Sequence, residues 1–352
     1  MKEYKRKGDS ILAIEIQRAV IHILDRDSDE PVFNDFELEI NSDISTFLEK
    51  HISKSINDEE ARKAKFKEGI NIIKEVSDRM ATDLSYFLEG SKEIARQLFK
   101  AMKTNSSISS TDLIICMYEI EAEVNIAILK MDYTTSFIHD VEMVDEKFKI
   151  SIKKQDISLP NIGQKIQKCA FVRGNQNVQD YNLIILDNQI NKKNEEPIAQ
   201  FFLHTFLSAE LIVDNKIQTK IFKTETENWI RAKAEEGEHF VETIREHVNN
   251  IVHEQEEIDM KDFSYKVFGN KQDLREDYLK SMEEKGLANE KFEVDKGWVE
   301  KKLNRIRFKT ESNIEIIIGY EYFNDKNKFE IVNNPDGSRN IIIKNVGSIF
   351  QS

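Results

Sequence analysis

The sequence predicts an α+β fold: a mixed or antiparallel sheet with long helices, plus a smaller C-terminal helix-and-β-hairpin region. A block with helical periodicity over residues 59–102 is followed by several consecutive strand-like segments, which favours α+β over strictly alternating α/β. The 352 residues include only 4 Pro and 12 Gly, which favours long helices and regular strands over a loop-rich architecture. The 21 Phe and the many Ile and Leu are enough for a sizeable core.

The N-terminal part alternates between strand and helix signals. Residues 11–24 combine alternation with a continuous apolar run and predict a first strand, and residues 32–40 predict a second. Residues 41–55 predict a helix, since the Asn and Ser at its start are favoured capping residues. Over residues 59–102, apolar side chains recur at steps of three and four and predict mainly helix, with Ser91 as the cap of its final short segment.

The middle of the chain is rich in strand signals. Residues 112–120 and 124–133 are β-rich and flank a short polar turn, so they predict a hairpin. Residues 196–211 predict a helix with Pro197 in its first turn. Three further segments are predicted strands: 147–155, 167–173 and 181–189.

The C-terminal part begins with a predicted long acidic helix over residues 224–253, and residues 258–287 predict two short helices. Residues 328–346 predict a β-hairpin, because the turn at its centre contains Gly337, which can adopt the positive φ that such turns need. Two more strand-like segments precede the hairpin: 303–310 and 313–320.

The domain organisation follows from these elements. A boundary near residue 225 separates an α+β core domain, residues 1–225, from residues 226–352, which hold the acidic helix and a small α+β domain. The alternative is that the tail strands join the main sheet and the chain is one domain. A length of 352 residues accommodates one large domain or two to three ordinary ones.

The overall charge restricts the partners. The formal net charge is −13, from 51 Lys and Arg against 64 Asp and Glu, which argues against a histone-like coat protein. Any nucleic-acid contact therefore has to come from a local patch. No segment resembles a secretory signal or approaches the roughly 18 apolar residues of a membrane helix. Cys116 and Cys169 each lie in an apolar run, as buried, reduced thiols do. We expect a cytoplasmic protein.

No motif in the sequence points to catalysis. The phosphate loops G-x-x-x-x-G-K-[ST] and G-x-G-x-x-G are absent, as are the metal motifs C-x-x-C and H-E-x-x-H and the nucleophile elbow G-x-S-x-G. His239 and His247 lie on one predicted helix, but two turns separate them by roughly 12 Å, which is too far for one metal ion. We therefore predict no cofactor, no metal site and no enzymatic activity.

The strongest basic feature is the run 301–309, which contains no acidic residue. In its second half, cations alternate with Ile306 and Phe308, so on a strand one face would be basic and the other apolar. The cations would then stand about 6.5–7 Å apart, near the spacing of phosphates along one DNA strand. The alternative is a solubilised strand face that protects a sheet edge. The five cations of the run are Lys301, Lys302, Arg305, Arg307 and Lys309.

Weaker charge clusters occur elsewhere. Lys220 and Lys223 follow Lys216 at helical spacing, and Arg173 closes a strand that also carries Lys165 and Lys168 nearby. The predicted DNA-contact set is therefore the five cations of the run with three additions: Lys220, Lys223 and Arg173. Over residues 231–260 three basic residues face nine acidic ones, which indicates either a solvated helix face or a docking surface.

Three segments carry a resemblance to a known family. The first spans 169–222, the second is the opening strand with its Ile21-His22 pair, and the third is the tail, with a strand near Ile314–Ile318 and the closing DGSRNIIIKNV. Together they resemble bacterial nucleoid-associated proteins of the YejK/NdpA type over roughly residues 11–346. Within the first segment the matching residues are Cys169, Tyr181, Leu183, Leu186, Asp187, Phe201 and Phe202, with the pair Thr219-Lys220.

The resemblance implies association with the bacterial nucleoid, DNA binding, and contact with DNA-handling enzymes such as topoisomerases. It implies no enzymatic activity, and no motif defines DNA-contacting residues, so the contact set above rests on charge alone. The expected function is a nucleoid-associated DNA-binding protein of low sequence specificity. The alternative is a protein-interaction module that docks on a DNA-processing enzyme through the acidic helix. The sequence leaves the oligomeric state open, with a homodimer as one option.

Overall fold

The computed structural model describes residues 14–105, 108–174, 181–189, 197–233, 238–287 and 291–348. The chain forms two compact units, Met1–Ile212 and Val213–Ser352, and the predicted boundary near residue 225 lies within a helix of the second unit. Parts of three predicted elements lie outside the described residues: 11–13 of the first strand, the opening residue of the helix 196–211, and 234–237 of the acidic helix.

The first unit is built around an antiparallel seven-stranded sheet in the spatial order β1-β3-β4-β7-β8-β2-β9. Strands β5 and β6 form a separate two-stranded hairpin. The α+β class predicted from the sequence is therefore confirmed. The strands of the unit, in chain order, are β1 (Ile14–Leu24), β2 (Arg62–Phe66), β3 (Thr111–Ile120), β4 (Glu123–Asp132), β5 (Thr134–Val144), β6 (Lys147–Ser158), β7 (Lys168–Arg173), β8 (Leu183–Asp187) and β9 (Ala209–Leu211).

Helices cover both faces of this sheet. On one face α2 (Ile72–Thr82), α3 (Phe87–Lys103) and a π-helical segment (Phe201–Phe206) pack over the side chains of the central strands. On the other face α1 (Ser42–Ile56) packs against the alternate side chains of the same strands. Because β3, β4 and β7 are buried on both sides, their central residues are mostly apolar and show no regular polar alternation.

Helix α1 begins where the sequence predicts. The side chain of Asn41 accepts hydrogen bonds from the backbone N–H groups of Asp43 and Ile44, at 3.1 and 2.9 Å. These bonds satisfy donors that have no partner inside the helix. The buried side of α1 is formed by Leu48 and Ile52.

Two predictions in the N-terminal part are wrong. The predicted strand 32–40 is a single bridge between Val32 and Ile23, because the segment that follows is held by individual bonds and not by a neighbouring strand. Residues 62–66 lie in the predicted helical block but form strand β2, which fills the space between β8 and β9 and pairs with both. This pairing outweighs local helical preference.

Three predicted helix features are corrected as well. Ser91 is a fully buried residue inside α3 and donates its hydroxyl to the carbonyl of Leu88 at 2.6 Å, so it is not a cap. The predicted helix 196–211 is replaced by the π-helical segment and strand β9, whose pairing with β2 ends the helical path. The predicted helix 224–253 is two helices, α4 and α5, described next.

The second unit combines helices with short hairpins. Its helices are α4 (Asn215–Ala232), α5 (Glu238–Glu254), α6 (Met260–Phe268), α7 (Gln272–Glu284), α8 (Lys296–Lys302) and the single turn α9 (Tyr320–Phe323). Its strands pair as β10 (Glu257–Asp259) with β11 (Lys291–Glu293), β12 (Arg305–Lys309) with β13 (Glu315–Gly319), and β14 (Phe329–Asn333) with β15 (Arg339–Ile343). The two short helices, the strands β12 and β13 and the last hairpin agree with the sequence prediction, and Gly337 has φ +85° in the last turn. The pairing of β12 with β13 was not predicted.

Aromatic side chains form the core of the second unit. Tyr278 is fully buried, and its hydroxyl is hydrogen-bonded to that of Thr226 at 2.7 Å. Trp229 packs edge-on to Tyr278 with ring centroids 5.4 Å apart and donates its indole N–H to Asp277 at 2.9 Å. The buried polar atoms of both rings are thus satisfied, which allows large aromatic groups to fill the core.

A buried histidine connects β1 to its surroundings in the first unit. The Nδ1 atom of His22 accepts the backbone N–H of Asn34 at 3.1 Å, and its Nε2 lies 3.0 Å from the Ser91 hydroxyl. Since Ser91 already donates to Leu88, its oxygen accepts the Nε2 proton. The ring must be neutral to make both bonds. Burial, reinforced by Lys92 and Arg96, lowers the pKa of His22 to about 4.

This network makes the stability of the first unit pH-dependent. Because the pKa of folded His22 lies below that of the unfolded residue, its contribution is complete above about pH 6.5 and is lost as the pH falls toward about 4. We expect the urea midpoint of the wild type to fall between pH 7 and pH 5, and that fall to be smaller in His22→Gln. Urea titrations at the two pH values measure this. The matched control is His247→Gln, an exposed position on α5. An equal fall in the wild type and His22→Gln would contradict the assignment.

Candidate nucleic-acid interface

The basic run lies on α8 and β12 in the second unit. Helix α8 begins at Asp295, whose side chain accepts the backbone N–H of Trp298 at 2.8 Å. Lys301 and Lys302 occupy the last turn of this helix and are exposed. Cations are favourable there because the carbonyl end of a helix carries partial negative charge. The helix thus carries two cations to the start of β12.

Strand β12 has the two-sided character that the alternation predicts. Arg305, Arg307 and Lys309 are exposed, whereas Ile306 and Phe308 are half-buried. The strand therefore has an exposed basic side and a half-buried apolar side. We call the exposed side of β12 together with Lys301 and Lys302 the basic face.

The underside of β12 is fixed by aromatic packing. The ring of Phe308 lies 5.7 Å from that of Phe323 and 5.8 Å from that of Phe329, measured between centroids. Phe323 and Phe329 contact each other at 5.6 Å. These three rings connect β12 to α9 and β14, so the orientation of the basic face is set by packing.

A second set of contacts anchors the partner strand β13. The ring of Tyr320, which follows β13, stacks on His253 of α5 with centroids 3.5 Å apart. Its hydroxyl donates to Asn250 at 3.1 Å, and its backbone N–H donates to the carbonyl of Asn304 at 2.9 Å. The hairpin β12–β13 is therefore held against the helical core of its own unit.

The cations of β12 have little carboxylate around them. Lys309 pairs in register with Glu315, whereas Arg305 and Arg307 pair with Gly319 and Ile317. Among the described residues, no carboxylate lies within ion-pair distance of either arginine. Over residues 296–348 Lys and Arg outnumber Asp and Glu by ten to seven, in a chain whose net charge is −13. Positive charge is thus concentrated in this part of the sequence.

The other predicted contacts are engaged elsewhere. Lys223 donates to Asn249 at 2.8 Å, and burial lowers its pKa, so it faces α5 and not open solvent. Lys220 is half-buried on the same helix. Arg173 belongs to the first unit, where it lies 3.4 Å from Glu123 and over the ring of Tyr181. The five cations of the run are thus neighbours on α8 and β12, whereas Lys220 and Lys223 lie on α4 and Arg173 lies on β7 of the first unit.

A buried polar cluster in the first unit was missed by the sequence analysis. Lys168 pairs in register with Lys130 on one side and with Asp187 on the other. Its ammonium lies 2.8 Å from the Asp187 carboxylate and 2.6 Å from the Gln189 side-chain oxygen. The Lys130 ammonium forms a second ion pair, with the carboxylate of Asp132. All four charged residues are almost inaccessible to solvent.

The cluster is closed by further hydrogen bonds. The side-chain amide of Gln189 donates to Asp132 at 2.5 Å, which joins the two ion pairs. The second oxygen of Asp187 accepts the backbone N–H of Ala199 at 3.0 Å, just before the π-helical segment. Burial lowers the pKa of Lys130, and Asp132 opposes that change. Buried charges persist only with such partners. The signal in the sequence was a lysine inside each of two otherwise apolar strands.

The remaining candidate groups are structural. Both cysteines are buried, and burial raises the pKa of Cys169 to about 12. The sequence-based expectation of buried thiols is confirmed. In the described part of the chain, no three His, Cys, Asp or Glu side chains are grouped so that they could hold a metal ion. None of the helices in the described ranges combines the length and apolar character needed to cross a membrane.

Fold and surface together define a two-unit α+β protein with a basic face on α8 and β12 of its second unit. The family model described as nucleoid-associated protein YejK matches residues 20–349, nearly the whole chain. The chain therefore belongs to the nucleoid-associated protein YejK family, and its role is a nucleoid-associated one. The resemblance inferred from the sequence is confirmed. A search among curated proteins finds no match.

The buried cluster predicts a large effect of breaking one ion pair. Lys168→Met leaves the Asp187 carboxylate buried without its cation, and we expect a loss of about 3–5 kcal/mol in the free energy of unfolding. The double variant Lys168→Met/Asp187→Leu removes both charges and should lose less than Lys168→Met alone. Urea titration of the two variants and the wild type measures both quantities. A single-variant loss below about 1 kcal/mol would show that the pair does not stabilise the fold.

Proposed function

We propose that this protein binds DNA with low sequence specificity, through phosphate contacts made by the basic face. The observation that carries the proposal is the strand β12, on which Arg305, Arg307 and Lys309 are exposed at every second position. Membership of the nucleoid-associated family supports DNA as the ligand. No enzymatic step is part of the proposal.

The attraction between the basic face and DNA is electrostatic. Arginine offers several N–H donors in a planar fork that matches the geometry of phosphate oxygens. Arg305 and Arg307 keep these donors exposed, while Phe308 on the other side of the strand is held by packing. Phosphate contacts position a protein on DNA but carry no sequence information, so specificity is low. The net negative charge of the whole chain then restricts DNA contact to this face.

The proposal predicts a salt-dependent affinity. Each displaced counterion contributes about −0.9 to the slope of log K against log salt concentration, so five contacts give a slope of about −4 to −5. In Arg305→Ala/Arg307→Ala we expect weaker binding to all sequences and a slope less steep by about 2. Fluorescence anisotropy of a labelled duplex across a salt series measures both values.

The matched control removes two exposed cations from another part of the same unit. Lys266 on α6 and Lys280 on α7 are paired with carboxylates one helical turn away. Lys266→Ala/Lys280→Ala changes the net charge by the same amount and should leave the slope unchanged. An equal loss of affinity in both double variants would show that only total charge matters and would overturn the basic face as the contact site.

A second candidate function rests on the outer side of α5. Glu246 and Glu254, with Glu256 just after the helix, are exposed carboxylates, whereas Ile244 and Val252 on the inner side are buried. We propose as the alternative that these carboxylates dock on the basic surface of a DNA-processing enzyme of the topoisomerase kind. The negative charge of this side complements a surface that has evolved to hold DNA.

This alternative is tested without removing the helix, because its inner side belongs to the core. In Glu246→Gln/Glu254→Gln/Glu256→Gln we expect loss of binding to a purified bacterial topoisomerase, with DNA affinity unchanged or increased. The control replaces three exposed carboxylates on α7: Glu276→Gln/Glu283→Gln/Glu284→Gln. Biolayer interferometry of the three proteins compares their affinities. Equal retention of the enzyme by the two variants would eliminate the acidic side of α5 as a docking surface.

A further inference from the structure

The hairpin of β5 and β6 stands apart from the seven-stranded sheet. The two strands pair with each other from Thr134 and Ser158 at the base to Val144 and Lys147 at the tip. The turn is formed by Asp145 and Glu146, both with positive φ. Strand β6 was predicted from the sequence, whereas its partner β5 was not.

The hairpin has two chemically different sides. Residues that pair directly share one side of a two-stranded ribbon, and alternate residues point to the other. One side carries the ion pair between Lys153 and Asp140, and Lys149 lies 3.7 Å from Glu142. The opposite side, which we call the apolar face, carries six apolar side chains together with His139 and, beside Phe137 at the base, Lys154. The six apolar residues are Phe137, Val141, Met143, Phe148, Ile150 and Ile152.

The apolar face is open. Ile152 is 77% exposed, Phe148 73% and Ile150 70%, and Phe137 and Met143 are similar. Scattered exposed apolar side chains are ordinary, but a contiguous set of this size marks an interaction surface. A two-stranded ribbon in water is marginally stable alone, and it gains stability when one side packs against another element. In the described part of the chain, this side of the ribbon stays exposed.

We propose that the apolar face packs against the same face of a second copy of this chain and makes the protein a homodimer. The exposed area of the apolar face is large enough for a stable dimer interface. Seven such side chains expose on the order of 700 Å² per copy, so two copies bury about 1,400 Å², inside the 1,200–2,000 Å² range of specific, stable interfaces. A two-fold axis brings identical residues together, and a face of six apolar side chains is complementary to itself.

The charges of the hairpin disfavour DNA as the occupant. The ribbon has four lysines against five carboxylates, at positions 140, 142, 145, 146 and 156, and part of this charge is paired across the strands. A ribbon that enters a DNA groove needs an excess of positive charge. The apolar face thus has a role different from that of the basic face on β12, and the two can be tested separately.

The first test is the mass of the full-length protein in solution. By analytical ultracentrifugation from about 1 to 100 μM we expect a dimer in the wild type. In Ile150→Lys/Ile152→Lys, four added lysines would meet across the two-fold axis. We expect the dissociation constant of the dimer to rise at least 100-fold. The control Ile138→Lys/Ser151→Lys adds the same charge to the opposite side and should remain dimeric. A monomeric wild type, or a dimer equally strong in both variants, would overturn the proposal.

A second test does not depend on how the lysine variants fold. The two native cysteines are buried, so Ile150→Cys introduces an exposed thiol on the apolar face. Under mild oxidation we expect disulfide-linked dimers of Ile150→Cys and none of Ser151→Cys, whose thiol would lie on the opposite side of the ribbon. Equal cross-linking of the two variants, or none in either, would show that the apolar faces do not meet.

Discussion

Strands β3, β4 and β7 are covered by helices on both faces, so polar groups in the central parts of these strands are shielded from water. This double-sided burial determines most of the first unit. It requires apolar side chains on both sides of each strand, and it requires that every buried charge carries its own counter-charge. Lys130 and Lys168 meet that requirement through Asp132 and Asp187. The loop that leads into the π-helical segment then takes its position from Asp187, through the backbone N–H of Ala199.

The second unit is built differently, because its strands occur only in pairs within the described residues. Each hairpin has one side available for packing, and aromatic rings join these sides to the helices. Phe308, Phe323 and Phe329 join two hairpins and α9, while Tyr320 joins β13 to α5 through His253. The consequence for function is that the cations of β12 are displayed by a packed support. A basic segment without such a support would lose more conformational entropy on binding.

Much of this architecture was predictable because the responsible signals are local. The runs of β3 and β4 flank a short polar turn, and alternation over 305–309 places the cations of β12 on one side. The basic strand was therefore found from spacing alone. Features that depend on distant neighbours were not predictable. The direction of Lys223 is set by α5, and the burial of Lys168 is set by β4 and β8. The sequence of strand β2 has a helical pattern, and its extended conformation depends on pairing with the distant strands β8 and β9.

The position of β2 also has a consequence for how the protein is made. Residues 62–66 pair on one edge with Leu183–Ile185 and on the other with Ala209–Leu211. Strands β3 and β4 are close together in the sequence, as are β7 and β8, so each of these pairs can form soon after its second strand leaves the ribosome. Strand β2 has to wait with both edges unpaired until more than a hundred further residues have been synthesised. Closure of the first unit is therefore a late, long-range event, and loop-closure entropy makes such events slow.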